Sequence, residues 1–135
     1  MIYLDTNVII SYVDEIDPNH DKAIKLLENL EENRVVSRLT LLELASVYSR
    51  AGLQKPLAYA LYSMKVVGAR LVEVDLNEAI TQAVKYALHL KLRTLDLLHI
   101  ASAKLAGTRV FATLDKEIVS KESRLQELGL QIVTV

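Results

Sequence analysis

Five short apolar runs, separated by segments of helical periodicity, constrain this chain more than any other feature. They fall at residues 2–4, 35–36, 71–74, 110–112 and 132–135 and are mostly β-branched. Runs this short and this apolar are expected of strands covered on both faces. Between them, Ala23, Ile24, Leu27 and Leu30 line one helical face. Leu57, Leu61 and Met64 line a second, with Ala60 beside them, and a third is the stripe Leu76, Ala79, Ile80, Ala83, Val84, Ala87 and Leu88. Strands alternating with helices of this length predict βαβ units. The expected fold class is therefore α/β, a three-layer α/β/α arrangement with a central parallel sheet and Rossmann-like topology. Gly52, Gly68, Gly107 and Gly129 each sit where a helical pattern stops and read as helix C-caps.

Right-handed crossovers put the C-terminal end of every strand on one edge of such a sheet. Ligands of open α/β sheets bind at that edge, near the point where the strand order reverses. At 135 residues the chain reads as one domain, 1–135, with no linker, repeat or charged tail. The absence of cysteine excludes disulfides, thiolate metal sites and a cysteine nucleophile, and three histidines make an imidazole-rich zinc site a poor fit. Any metal here is expected to be held by oxygen, which favours Mg²⁺ or Mn²⁺. With a net charge of −1, a grip on nucleic acid has to come from a local patch. No basic leader opens the chain and no uncharged run approaches a bilayer's span, so the expectation is a cytoplasmic protein with no membrane contact.

The acidic residues then become informative by position. Asp5 directly follows the first apolar run, and Asp115 follows the fourth in Thr113-Leu114-Asp115. Glu43 comes seven residues after Val36, one turn into the next helix, and Asp96 opens a helix with no strand just before it. Gathered at one sheet edge, several such carboxylates would repel one another, and some would hold raised pKa values unless a cation neutralised them. A hard divalent ion can activate a water and stabilise the leaving oxygen of a phosphodiester. Each acid also has a structural reading. Thr40-Leu41-Leu42-Glu43 has capping-box spacing, and Asp96 and Asp115 can be helix N-terminal acids. Asp75 is a control: it also follows an apolar run and opens a capping-box pattern with Glu78, so position after a strand does not by itself select a site.

The segments around these acids resemble the PIN-domain family. Leu4-Asp5-Thr6-Asn7-Val8-Ile9-Ile10 is similar to its opening motif, and Leu42-Glu43-Leu44 after Thr40 to its second acidic motif. The run Thr94-Leu95-Asp96-Leu97-Leu98-His99-Ile100-Ala101-Ser102-Ala103 closely resembles the third, and Thr113-Leu114-Asp115-Lys116 the fourth. Four motifs in register cover the whole chain. The resemblance implies a metal-dependent endoribonuclease, with Asp5, Glu43, Asp96 and Asp115 as both catalytic residues and ligands of Mg²⁺ or Mn²⁺. It implies products with 5′-phosphate and 3′-hydroxyl ends. It also implies kinship with VapC-like toxins, commonly homodimers held inactive by a small antitoxin. Thr6 and Thr113 would be hydroxyls that orient a ligand or touch a phosphate, and Asn7 a group supporting the ligands from behind.

His99, three residues after Asp96 in an apolar stretch, reads as a core histidine or one that supports a ligand. His20 and His89 read as surface residues. Arg38 and Lys116 are candidates for holding an RNA phosphate, while Lys121 reads as a solvated charge. Tyr48, Tyr59 and Tyr62 could anchor a dimer or antitoxin surface, or pack within the domain. Two rival functions remain open at this point. An aspartyl-phosphate phosphatase would want a second Asp where Asn7 stands. A receiver-like binding module, or a catalytically inert PIN-like scaffold, would bind partners without cutting.

Overall fold

The computed structural model describes all residues 1–135. Five three-residue strands form one sheet: β1 (Ile2–Leu4), β2 (Arg34–Val36), β3 (Ala69–Leu71), β4 (Val110–Ala112) and β5 (Gln131–Val133). Eight helices surround it: α1 (Thr6–Val13), α2 (His20–Glu28), α3 (Arg38–Arg50), α4 (Pro56–Val66), α5 (Leu76–Leu90), α6 (Thr94–Leu105), α7 (Lys116–Val119) and α8 (Glu122–Glu127). Every pairing is parallel and the strand order is β3-β2-β1-β4-β5. The chain moves outward on one side of β1, then returns to build the other side from β4, so the topological switch lies between β1 and β4.

Strand alternation divides the core into two layers. Tyr3, Val35 and Phe111 face a cluster formed with Ala79, Leu97, Ile100 and Leu125 from the α5–α8 side. Ile2, Leu4, Val36 and Ala112 face the opposite cluster with Val8, Leu27, Leu44 and Met64 from α1–α4. The register sets Tyr3 beside Phe111 and Leu4 beside Ala112, and the Tyr3 and Phe111 rings stack at 5.5 Å. Asp5 and Thr113, the next residues of each strand, therefore leave the sheet side by side.

Three expectations shift. The third strand is Ala69–Leu71 rather than 71–74, because β2 ends at Val36 and offers β3 no further partner beyond the Val72 N–H bond to Val36. Val72 and Val74 use their apolar side chains for packing instead. The fifth strand likewise starts one residue early and ends two early, at Gln131–Val133, leaving Val135 exposed. On α4 and α5 mostly small residues face inward: Ala60 and Ser63 on α4, with Met64 the one large member of its predicted stripe to join them, and Ala79 and Ala83 on α5, with Leu90 at its end. The large members of the stripes point out, with Leu57 55% exposed, Val84 70% and Leu88 83%. Alanines allow α5 to lie close against α6, and the bulkier residues are displaced to its far side.

Arg34 extends β2 by one residue and ties two helix ends together. Its guanidinium donates to Val67 O at 2.8 Å and to Leu27 O and Leu30 O at 2.6 and 3.1 Å. These carbonyls lie at helix C-termini, where intrahelical partners run out. The four glycines all follow helices with φ between +66° and +88°, in the left-handed conformation of a C-cap.

Candidate active site

Asp5 leaves β1 at the N-cap position of α1 but caps nothing. Its side chain is buried and accepts a 2.7 Å hydrogen bond from Thr113 Oγ1. Thr113 Oγ1 also accepts from the Asp115 backbone N–H at 3.0 Å, so one hydroxyl joins both acids that follow central strands. Asp115 is the N-cap of α7, accepting from Glu117 N at 2.8 Å; capping and membership of the acidic group coexist in it. Asp75, the control, caps α5 through Glu78 N at 3.1 Å.

Glu43 does not form the capping box. Helix α3 begins at Arg38, three residues before that pattern requires, and Ser37 occupies the N-cap. Freed of Thr40, the Glu43 carboxylate reaches back over the sheet edge. Its Oε1 accepts from Thr6 Oγ1 at 2.8 Å and from His99 Nε2. His99 is buried on α6, with Nδ1 2.8 Å from the Tyr3 hydroxyl, which in turn lies 2.7 Å from Ser37 Oγ. Asp96 sits in the first turn of α6. It is the one member of the four without a side-chain hydrogen bond to protein.

The charges interact across these elements. Burial raises the Asp5 carboxyl above its ordinary range; His99 and Thr113 oppose the rise, while Glu43 and Asp115 add to it. Asp96 is pushed up to about 6, first by burial, then by Asp5 and Asp115, with Glu117 adding and His99 opposing. Glu43 goes the other way: burial would raise it, but the His99 hydrogen bond and charge, with Thr6, hold it below the usual range. So the carboxylates influence one another at one sheet edge, and two of them, Asp5 and Asp96, hold a proton to higher pH than an ordinary aspartate. As oriented, no three His, Asp or Glu side chains lie close enough to hold an ion together. Like charges repel, and each of Asp5, Glu43 and Asp115 is turned to its own protein donor. In kind, the donors fit a hard divalent cation: they are carboxylate oxygens whose mutual repulsion such an ion would relieve.

The remaining candidates stand apart. Asn7 Oδ1 accepts from Leu114 N at 3.3 Å and straps α1 to the loop after β4. Arg38 is exposed at the start of α3, beside a cavity lined by Leu39, Leu42, Val74 and Leu76. Lys116 opens toward Asn19, Lys22 and Val135, on a surface of its own. Tyr48 packs internally through a 2.6 Å hydrogen bond to Ser63, whereas Tyr59 and Tyr62 are exposed. Sequence reasoning missed Tyr3, Ser37 and Glu117. The signal for Tyr3 was a hydroxyl in a strand otherwise built of Ile and Leu, since a buried tyrosine usually finds a polar partner. Ser37 was hidden by its capping position, and Glu117 by its place beside Asp115; Arg93 pairs with Glu117 at 3.6 Å.

The PIN-domain family profile matches residues 2–122. The chain belongs to the PIN-domain family. This PIN domain shares its fold with Mycobacterium tuberculosis VapC20, a sarcin-ricin loop cleaving toxin, at a TM-score of 0.73 and 17% identity over the whole of both chains. A toxin–antitoxin complex from Klebsiella pneumoniae aligns at 0.69 and 16% identity, covering 99% of this chain and 97% of that one. VapBC-1 from nontypeable Haemophilus influenzae aligns at 0.64 and 21% identity, covering 99% and 98%. No curated protein matches the chain by sequence. The PIN fold here carries no helix long and apolar enough to cross a membrane. PIN and VapC proteins are nucleases, hydrolases acting on RNA.

Proposed function

We propose that this PIN domain is a metal-dependent endoribonuclease, the toxin of a VapBC-type pair. The observation that carries the reading is that acids from separate elements act on one another at one sheet edge: Asp5 and Asp115 both raise the Asp96 carboxyl, and Glu43 and Asp115 raise that of Asp5. Asp5, Glu43, Asp96 and Asp115 would hold Mg²⁺ or Mn²⁺, and the bound ion supplies an activated water and charge relief for the leaving oxygen. Thr113 orients Asp5, Thr6 orients Glu43, and burial of Asp5 keeps bulk water from dissipating the field. Asn7, engaged with Leu114 N, is not placed to assist a phosphoryl-aspartate at Asp5, which argues against the phosphatase reading.

Two apolar surfaces support the partners. Leu76, Ile80, Val84 and Leu88 recur every fourth residue along the outer side of α5, an inclined ridge suited to self-association about a two-fold axis. Tyr12, Val13, Ile24, Tyr62 and Val66 line a groove between α1, α2 and α4, a shape suited to an amphipathic helix of a small antitoxin. Arg38 and Lys116 remain candidates for RNA phosphates from outside the acidic group.

Asp5→Asn or Asp96→Asn should lower RNA cleavage by more than about 100-fold while the circular-dichroism spectrum stays that of the parent. Excess EDTA should silence the parent protein, and Mn²⁺ should restore it. Full cleavage by either variant, or in EDTA, would refute the proposal. A purified protein that binds Mn²⁺ and cuts no RNA would be a binding scaffold instead.

A further inference from the structure

Both donors to Glu43, Thr6 Oγ1 and His99 Nε2, land on the same oxygen, Oε1. Oε2 is left without a protein partner. A carboxylate only accepts, so Nε2 bears a hydrogen toward Glu43 and Nδ1 is turned to the Tyr3 hydroxyl, 2.8 Å away. Ser37 Oγ closes the chain at 2.7 Å from that hydroxyl. Ser37 is a helix N-cap residue whose side chain caps nothing, although serine at that position ordinarily stabilises a helix by capping it. The imidazole has no room to turn. It is buried, meets Tyr3 edge-on at 5.7 Å, and Tyr3 is itself stacked on Phe111.

We propose that Ser37, Tyr3 and His99 form a buried hydrogen-bond line that positions Glu43, committing Oε1 to the protein and presenting Oε2 alone to the divalent cation. His99 is thus a positioning residue that acts through Glu43. Tyr3 and Ser37 act through His99, fixing which ring nitrogen faces the acid. A histidine serving only the core would need no such line, because its two nitrogens could be satisfied by any nearby carbonyl.

This inference rests on the metal-site reading above, and the test separates the two. Mn²⁺ affinity is measured by titration calorimetry for the parent, His99→Leu, Glu43→Gln and the double variant, with circular dichroism as the check on folding. His99→Leu should weaken Mn²⁺ binding by about 10–100-fold, and in the Glu43→Gln background the same change should cost almost nothing. Tyr3→Phe, which keeps the ring stack and removes the hydroxyl, should weaken binding in the same direction and lose its effect in the same background. His99→Gln, whose amide can still donate toward Glu43, should recover part of the loss. Equal weakening by His99→Leu with and without Glu43 would overturn the inference while leaving the metal site standing. A parent protein that binds no Mn²⁺ would remove the metal site itself. If His99→Leu fails to fold, Tyr3→Phe and His99→Gln complete the same cycle.

Discussion

At the scale of single residues, Asp96 is the most exposed conflict in the acidic group. Its carboxyl is pushed from 3.8 up to about 6 by burial and by Asp5 and Asp115, and no protein donor compensates it. An acid whose pKa is higher folded than unfolded opposes folding once both states are ionised. The penalty is full above about pH 6 and fades as pH falls toward 4. In EDTA at pH 7.5, Asp96→Asn should therefore melt above the parent, by a gain of at most about 1 kcal/mol after allowing for solvent screening of this half-buried group. Thermal melts across pH 4–8 should show the gap closing in acid. A parent that is more stable than the variant at pH 7.5 would contradict this. The same substitution that is proposed to disable cleavage should thus strengthen the fold. The four acids were legible because they follow strands or open helices within recognisable motifs. The hydrogen bonds of His99 were not, because one runs to Tyr3, 96 positions away, and the other meets a Glu43 side chain that reaches back toward Thr6.

Elements were legible in kind and displaced in detail. Periodicity found a run at or overlapping each strand and marked the helices α2, α4 and α5, but it carried no information on what each face would meet. On α5 the alanines won the interior and the leucines were turned outward, a result decided by the closeness of α6. The C-terminus of α5 is irregular in another respect. Lys91 takes the left-handed conformation, φ 53° and ψ 41°, to close the helix through a 2.9 Å bond from its N–H to Ala87 O. The other four left-handed positions of the chain are glycines. Lys91→Gly should raise stability by about 1 kcal/mol by relieving the Cβ–carbonyl clash, measured as a shift in urea midpoint with unchanged slope. Gly129→Ala should do the reverse by about the same amount, since φ there is +82°, a conformation that a Cβ strains, while the nearest neighbour of that Cβ, Lys104 Nζ at 3.4 Å, is at ordinary contact distance.

For the molecule as a whole, the outward row on α5 and the groove beside α4 are surfaces that one chain leaves uncovered. If α5 joins two copies, Val84→Asp together with Leu88→Asp should convert a dimer to a monomer in light scattering, without loss of helical content. A parent that stays monomeric at high concentration would remove that part of the proposal. The order β3-β2-β1-β4-β5 has a consequence for synthesis. β1 is made first, yet one of its edges waits for β4, and the acidic group draws Asp5 and Glu43 from one half of the chain and Asp96 and Asp115 from the other. A nascent polypeptide that has emerged only as far as Leu90 carries two acids of four and a central strand open along one side. If the four acids form the site as proposed, such a fragment should cut no RNA, and activity should begin only when the second half of the chain has arrived and β4 has paired with β1.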